Sequence, residues 1–472
     1  MIEDKKVAVS FSIGLLYMFS CEAMLPQSGG STDSSGKKEL MRSLEDSATS
    51  DASGDRPERR RRRRHHHYQQ TSDNEESSAS SRRPSRYQQA SDDDEYSTSF
   101  SLFNRRLRVP NVENKLPSDV KVILSIDGGG SRGIVPAFIL KTLGADVKRR
   151  LCSMGTQKDQ IDSFNLSECF DIVAGTSVGA LVGASLLLGK EREVYENFEE
   201  YASEIFQKRV QKKLNVLASP TYKKSGRKAV IERVIENENM LGGEIKGHFV
   251  VPFYCYNTRE ARVYQNFGED FHDFNLVDIL MMTSAAPTYF PPHHCESVTS
   301  GNEFSGGDGG IFANNPSREV YDLVRDEIYP DDPIVLISLG TGTGSSGTSV
   351  HHFDKLNLLQ WATAYPSIAI DAASDNCHRG MVRKSKQSRS QLTYYRFQFS
   401  LREEETEMDN TNPEIFESIV STVRTAINPH GYHGGDYADV LNILTEVAKR
   451  KILSQSRLRA DSLLASPAPD SM

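Results

Sequence analysis

Three stretches of the chain carry residues whose types and spacing could do chemistry. Gly175-Thr176-Ser177-Val178-Gly179 is G-x-S-x-G, set between the apolar runs CFDIVA (169–174) and SVGALVGASLLLG. A strand, a sharp glycine turn and a helix make the setting of a nucleophile elbow: the serine stands exposed and the helix N-terminus favours developing negative charge. The pentapeptide alone is a common chance pattern, and its flanks make it informative. A serine nucleophile needs a base. Asp308 stands in FSGGDGGIFANNP, flanked by Gly306, Gly307, Gly309 and Gly310. A solvated aspartate, with a pKa of about 3.9, is a poor base for a hydroxyl. Partial burial beside the serine raises that value and makes it useful. The competing reading of Asp308 is an ordinary Asp-Gly turn.

The third stretch is ILSIDGGGSRG (123–133), with Gly128, Gly129, Gly130, Arg132 and Gly133. Its G-x-G-x-x-G spacing suggests a dinucleotide loop. That fold also needs an acid at the end of a second strand about 20 residues on. The acid at that distance, Asp146, lies in the helical stretch LGADVKRR, and no strand intervenes before QIDSF. The alternative keeps the same physics. Amides of Gly129 and Gly130, free of side chains at a helix start, converge on one point and could hold the oxyanion of a tetrahedral intermediate. A Ser-Asp-His triad stays open, since His351, His352, His378, His430 and His433 all follow Asp308. An idle lipid-binding or scaffold protein is the alternative of another class. Intact nucleophile, acid and loop speak against it.

These residues need a frame. KVILSI (121–126), CFDIVA, HFVVPFYCYN (248–257), PIVLISLG (333–340) and LTYYRFQFS (392–400) are predicted strands. Helical periodicity fills 133–150, the stretch after Ser177, and segments near 191–207 and 228–237. Strands alternating with helices predict an α/β fold with a mostly parallel central sheet covered on both faces, a three-layer α/β/α arrangement. A helical C-terminal region is expected over 405–460, followed by a disordered tail, 461–472. Residues 24–105 are rich in Ser, Asp, Arg and Gln. Such a segment buries too little to offset its ordering entropy and is expected to be disordered. Its arginine run, 59–64, is read as part of a solvated linker and not as a nucleic-acid site. MIEDKKVAVSFSIGLLYMFSCEA (1–23) has the form of a signal peptide and predicts secretion, with Glu3 and Asp4 out of character. Six cysteines show no metal spacing or disulfide framework, and a net charge of −8 points to no particular partner.

The motifs SIDGGGSRG, GTSVGAL, TSAAPTYFPPHH, DGGIFANNP and SLGTGTG, in this order, resemble the patatin-like phospholipases. The likeness covers roughly 120–345, with 346–404 as the remainder of the α/β domain and a weaker trace in MDNTNPEIFESI. It implies a three-layer α/β/α domain, a Ser-Asp dyad without histidine, and hydrolysis of acyl lipids at a membrane surface without metal or cofactor. Carried over by position, Ser177 is the nucleophile and Asp308 its base. Residues 128–133 are the oxyanion loop, with Arg132 at its basic position, where it braces the loop or contacts a lipid head group rather than doing chemistry. APTYFPPHH either lines the pocket mouth through Tyr289 and Phe290 or forms a rigid turn. His293 and His294 are read as packing or surface residues. The sequence names no activating partner.

Overall fold

The computed structural model describes residues 116–464 apart from 208–219, 268–272, 299, 345–353, 355–356 and 388. The expected signal peptide (1–23), the low-complexity region (24–105), residues 465–472 of the expected tail, and His351 and His352 lie outside the described residues. In chain order the main elements are β1 Lys121–Ile126, α1 Ile134–Ser153, β2 Ile172–Gly175, α2 Val178–Leu187, α3 Lys224–Ile235, β3 His248–Cys255 and β4 Glu260–Gln265. There follow α4 Leu276–Thr283, β5 His293–Glu296, β6 Glu303–Asp308, α5 Ser317–Leu323, β7 Ile334–Leu339, β8 Thr343–Gly344, α6 Leu358–Ser385, β9 Leu392–Phe397, β10 Ser400–Leu401, α7 Pro413–Ile427 and α8 Gly434–Leu464.

The main sheet runs β5-β6-β3-β2-β1-β7-β9, with β4 also paired to β3. The five strands from β3 to β9 are parallel to one another. Strands β4, β5 and β6 add an antiparallel end. Side chains alternate between the two faces of a strand, and the cores follow that alternation. Val122, Leu124 and Ile126 of β1 join a large core with residues of α1, α2, α3, α4, α7 and α8. Ile123 joins a smaller one with Val320 and Tyr321 of α5 and Met381 of α6. A sheet with helices on both faces is the three-layer arrangement expected. Helices α7 and α8 are not peripheral: Phe416, Val423, Val440 and Leu444 lie in the same core as β1 and α1.

Two parts differ from expectation. Helix α6 was not foreseen, because Pro366 inside it and its sparsely buried first half blur the helical period. Strands β4, β5 and β6 of the antiparallel end were not foreseen either, and Asp308 closes strand β6 rather than standing in a turn.

That end has a feature on which the site depends. Along β3, Val250 pairs with Ala174 of β2 and also with Gln265 of β4. Farther on, Phe253 pairs with Asp308 of β6 and also with Arg262 of β4. Strand β4 holds one edge throughout, so β2 and β6 share the other. Strand β2 is parallel to β3 and β6 antiparallel, so the two run toward each other and stop with a short gap between. Pro252 lies in that gap. It has no amide hydrogen to leave unpaired, and its carbonyl accepts from Thr283 Oγ1 at 2.6 Å rather than from a strand.

If α7 and α8 are part of one core, Leu444→Ala should cost about 2–5 kcal/mol. Urea unfolding should stay a single transition with a lower midpoint. A separate early transition assigned to the C-terminal helices would show that they fold apart.

Candidate active site

Ser177 follows β2 at the point where the chain turns into α2. Its backbone has φ 55° and ψ −124°, a conformation that costs a non-glycine residue energy and tends to persist where the surroundings enforce it. The enforcement is visible. A Cβ on Gly179 would lie 2.5 Å from the carbonyl oxygen of Ile126 and 2.6 Å from that of Asp127, so only glycine lets α2 begin against the end of β1. Thr176 N–H donates to Ile126 O (3.1 Å) and Thr176 Oγ1 to Ala313 O (2.7 Å). Ser177 N–H donates to Thr283 Oγ1 at 3.1 Å. The Ser177 side chain is half-buried and stands at the N-terminus of α2.

Asp308 ends β6 and is only 6% exposed. Its backbone N–H donates to Ala285 O (3.1 Å), and its Oδ1 accepts from Gly310 N–H (2.7 Å). Burial pushes its carboxyl up to about 6, against the pull of the Gly310 amide, the neighbouring Ser177 hydroxyl and the charge of Arg227. The two residues singled out in the sequence thus meet in space, 131 positions apart in the chain (308 minus 177).

The glycine loop lies beside them. A Cβ on Gly128 would sit 3.3 Å from Ser177 Cβ. The Gly128 peptide is clamped on both sides. Its N–H donates to Asn314 O (3.0 Å), and its carbonyl accepts from Thr341 Oγ1 (2.9 Å) and Asn314 Nδ2 (3.3 Å). Gly130 has φ +59°, and a side chain there would strike the carbonyl of Met408, which accepts from Ser131 N–H at 2.7 Å. The amides of Gly129 and Gly130 have no hydrogen-bond acceptor among the described residues. Gly133 packs against Val178 of α2. Arg132 is buried and donates to the carbonyls of Gly342 (3.0 Å) and Gly129 (3.5 Å). It braces the loop from within.

Among the described residues, no candidate histidine is hydrogen-bonded to Ser177 or Asp308. His378 contacts the Tyr394 hydroxyl at 3.3 Å, and burial pulls its pKa down to about 4. His433 hydrogen-bonds the backbone of Gln398, and His430 is exposed. His293 is buried against Asp278 (2.7 Å), and His294 is exposed. Phe290 is buried in an aromatic cluster with Phe206 and Tyr222, while Tyr289 stacks on Tyr222 at 6.1 Å.

Comparison with known proteins identifies the domain that holds these residues. Residues 124–321 match the family model described as patatin-like phospholipase. The chain carries a patatin-like phospholipase domain. Relatives include "cGAMP-activated phospholipase" of Escherichia coli (strain TW11681), 30% identical over 231 residues, covering 46% of this chain and 61% of that protein. The protein of the same name in Vibrio cholerae is 29% identical over 240 residues, covering 46% and 63%. "Patatin" of Solanum tuberosum is 29% identical over 346 residues, covering 66% of this chain and 84% of its own length. The chain thus spans about three fifths of the length of the two bacterial relatives.

All five motifs of this patatin-like domain touch the glycine loop or Ser177. Several residues that do so had no signal of their own. Thr283, Asn314 and Thr341 sit inside motifs but are of ordinary types. Arg396 lies on β9, outside all of them, and grips Asp127 at the root of the loop through two hydrogen bonds of 2.7 and 2.6 Å. Both side chains are buried. Burial pulls Arg396 down, and the charge and hydrogen bonds of Asp127 more than reverse it. Breaking a buried pair from one side leaves an uncompensated charge, a loss of about 3–5 kcal/mol. Arg396→Met should show that loss in urea unfolding, and Asp127→Asn added to it should restore a large part. A single mutant as stable as wild type would mean that the pair does not anchor the loop.

Proposed function

We propose that this protein is a lipid acyl hydrolase of phospholipase A type, working through a Ser177–Asp308 dyad with the glycine loop as oxyanion hole. The observation that carries the reading is that the elbow serine, Ser177, stands beside the buried carboxylate of Asp308, whose proton affinity burial raises toward neutral pH. A base works best when its pKa lies near the working pH. Asp308 takes the Ser177 proton as Oγ attacks the acyl carbonyl. The amides of Gly129 and Gly130 and the N-terminus of α2 face the negative charge that forms on the carbonyl oxygen. Collapse expels the lipid alcohol, which takes the proton from Asp308. Water, deprotonated by the same carboxylate, then releases the fatty acid from Ser177. The substrate class is a phospholipid or other acyl lipid presented at a membrane surface.

The test separates a dyad from a triad and from an idle protein. The purified chain is incubated with a mixed lipid extract, and released acids are identified by mass spectrometry. Ser177→Ala and Asp308→Asn should each lose about a thousandfold or more, and the double mutant should be little worse, because the two act as one unit. Alanine at each of His351, His352, His378, His430 and His433 should stay within about tenfold of wild type. A folded histidine variant as inactive as Ser177→Ala would replace the dyad by a triad. No released acid would leave a lipid-binding protein.

The buried base sets two pH responses. kcat/KM should fall below about pH 6, as Asp308 becomes protonated. Stability runs the other way. The folded-state pKa lies above the ordinary 3.8, so the folded state binds this proton more tightly than the unfolded one. The group's contribution is full at low pH and is lost as pH rises to about 6. A rise from 3.8 to about 6 corresponds to about 3 kcal/mol. Asp308→Asn should therefore unfold later than wild type in urea at pH 8, by up to about that amount, with the gain shrinking toward pH 4.

A further inference from the structure

Arg227, on α3, is 2% exposed. No sequence motif includes it. Its Nη1 donates to the carbonyl of Ser284, while Nε and Nη2 have no hydrogen-bond partner among the described residues. Its guanidinium lies 4.4 Å from the centre of the Phe290 ring. A buried arginine with two unused N–H groups is costly. A loop brace alone would not require a charge there.

The place of Ser284 is informative. Its neighbour Thr283 accepts Ser177 N–H on its hydroxyl and Gly309 N–H on its carbonyl, at 3.1 and 3.2 Å. Its other neighbour, Ala285, accepts Asp308 N–H at 3.1 Å. Three successive residues thus hold the backbone of the serine, the arginine, and the backbone of the aspartate. The groups that face the Asp308 carboxylate can be named element by element. Ser177 comes from the elbow and the Gly310 amide from the short helix after β6. Tyr256, just past β3, is an uncharged phenol that the Asp308 charge pushes further from ionising, after burial. On α4 and β5, Asp278 and His293 bond each other. Arg227 from α3 is the cation whose field reaches Asp308, and burial lowers it only to about 10, so it keeps its charge at neutral pH.

We propose that Arg227 is a positioning residue for this reaction: it fixes the 283–285 segment that spaces Ser177 from Asp308, and its charge holds Asp308 in the proton-accepting form at neutral pH. The proposal rests on the dyad reading above. The two fail separately, because an active Asp308→Asn enzyme would refute the dyad before any Arg227 variant is made.

The test is the pH dependence of kcat/KM on a water-soluble ester for wild type, R227Q and R227K. Loss of the cation makes Asp308 easier to protonate. The acid limb of R227Q should move at least one pH unit upward. For a one-unit shift its activity should fall about fivefold at pH 6 and about twofold at pH 7, and recover toward wild type by pH 9. R227K should keep the limb within about 0.3 of wild type, even if its rate falls. An R227Q profile lowered equally at every pH, or not lowered at all, overturns the charge role. If R227Q does not fold, D308N/R227Q decides: folding of the double variant shows that the unpaired carboxylate was the fault, and failure shows that Arg227 is only a packing element.

Discussion

One edge of β3 serves two strands that run toward each other, and the geometry of the site follows from it. Strand β2 delivers the elbow with Ser177 to one side of the gap, and β6 delivers Asp308 to the other. Neither strand can slip by one residue without turning its side chains to the wrong face. Residues far apart in sequence are therefore fixed by strand register rather than by loops, a more rigid support for reacting groups. Pro252 suits the gap because it has no amide to leave unpaired, and Thr283 bridges it by accepting Ser177 N–H and donating to the Pro252 carbonyl.

The site concentrates features that oppose folding. Ser177 holds a strained backbone, Asp308 is a buried carboxylate, and Arg227 is buried with two nitrogens unpaired among the described residues. Each is tolerable because the surrounding frame is large and dry on both faces of the sheet. Local destabilisation offset by a strong core is common at sites tuned for reaction. In the proposed mechanism burial is what moves Asp308 from a weak base to a competent one, so its cost in stability and its proposed use in chemistry have the same cause.

Much of this was legible in the chain. The parallel strands β1, β2, β3 and β7 announce themselves as nearly continuous apolar runs, because both their faces are covered, and β9 as an aromatic-rich stretch. Ser177, Asp308 and the glycine loop are legible because glycine is needed where backbones nearly touch. The antiparallel end was not. Gly306 and Gly307 leave β6 without an apolar alternation, since side chains there would strike Met282 and Tyr256. Arg396 and Arg227 were also invisible, because an arginine on an amphipathic strand or helix usually faces water. Only the fold shows these two turned inward, toward Asp127 and Asp308.

The central claim is that Ser177 is the atom donor that forms a covalent acyl intermediate, activated by Asp308. A fluorophosphonate reacts with activated serines and stays attached, so it reports the nucleophile without assuming a lipid. The folded wild-type protein is treated with this probe, digested, and the modified residue located by mass spectrometry. The account predicts one label per chain, on Ser177, absent in Ser177→Ala and formed at least about a hundredfold more slowly in Asp308→Asn. Label on another residue, or equal labelling of Ser177 in Asp308→Asn, would contradict it.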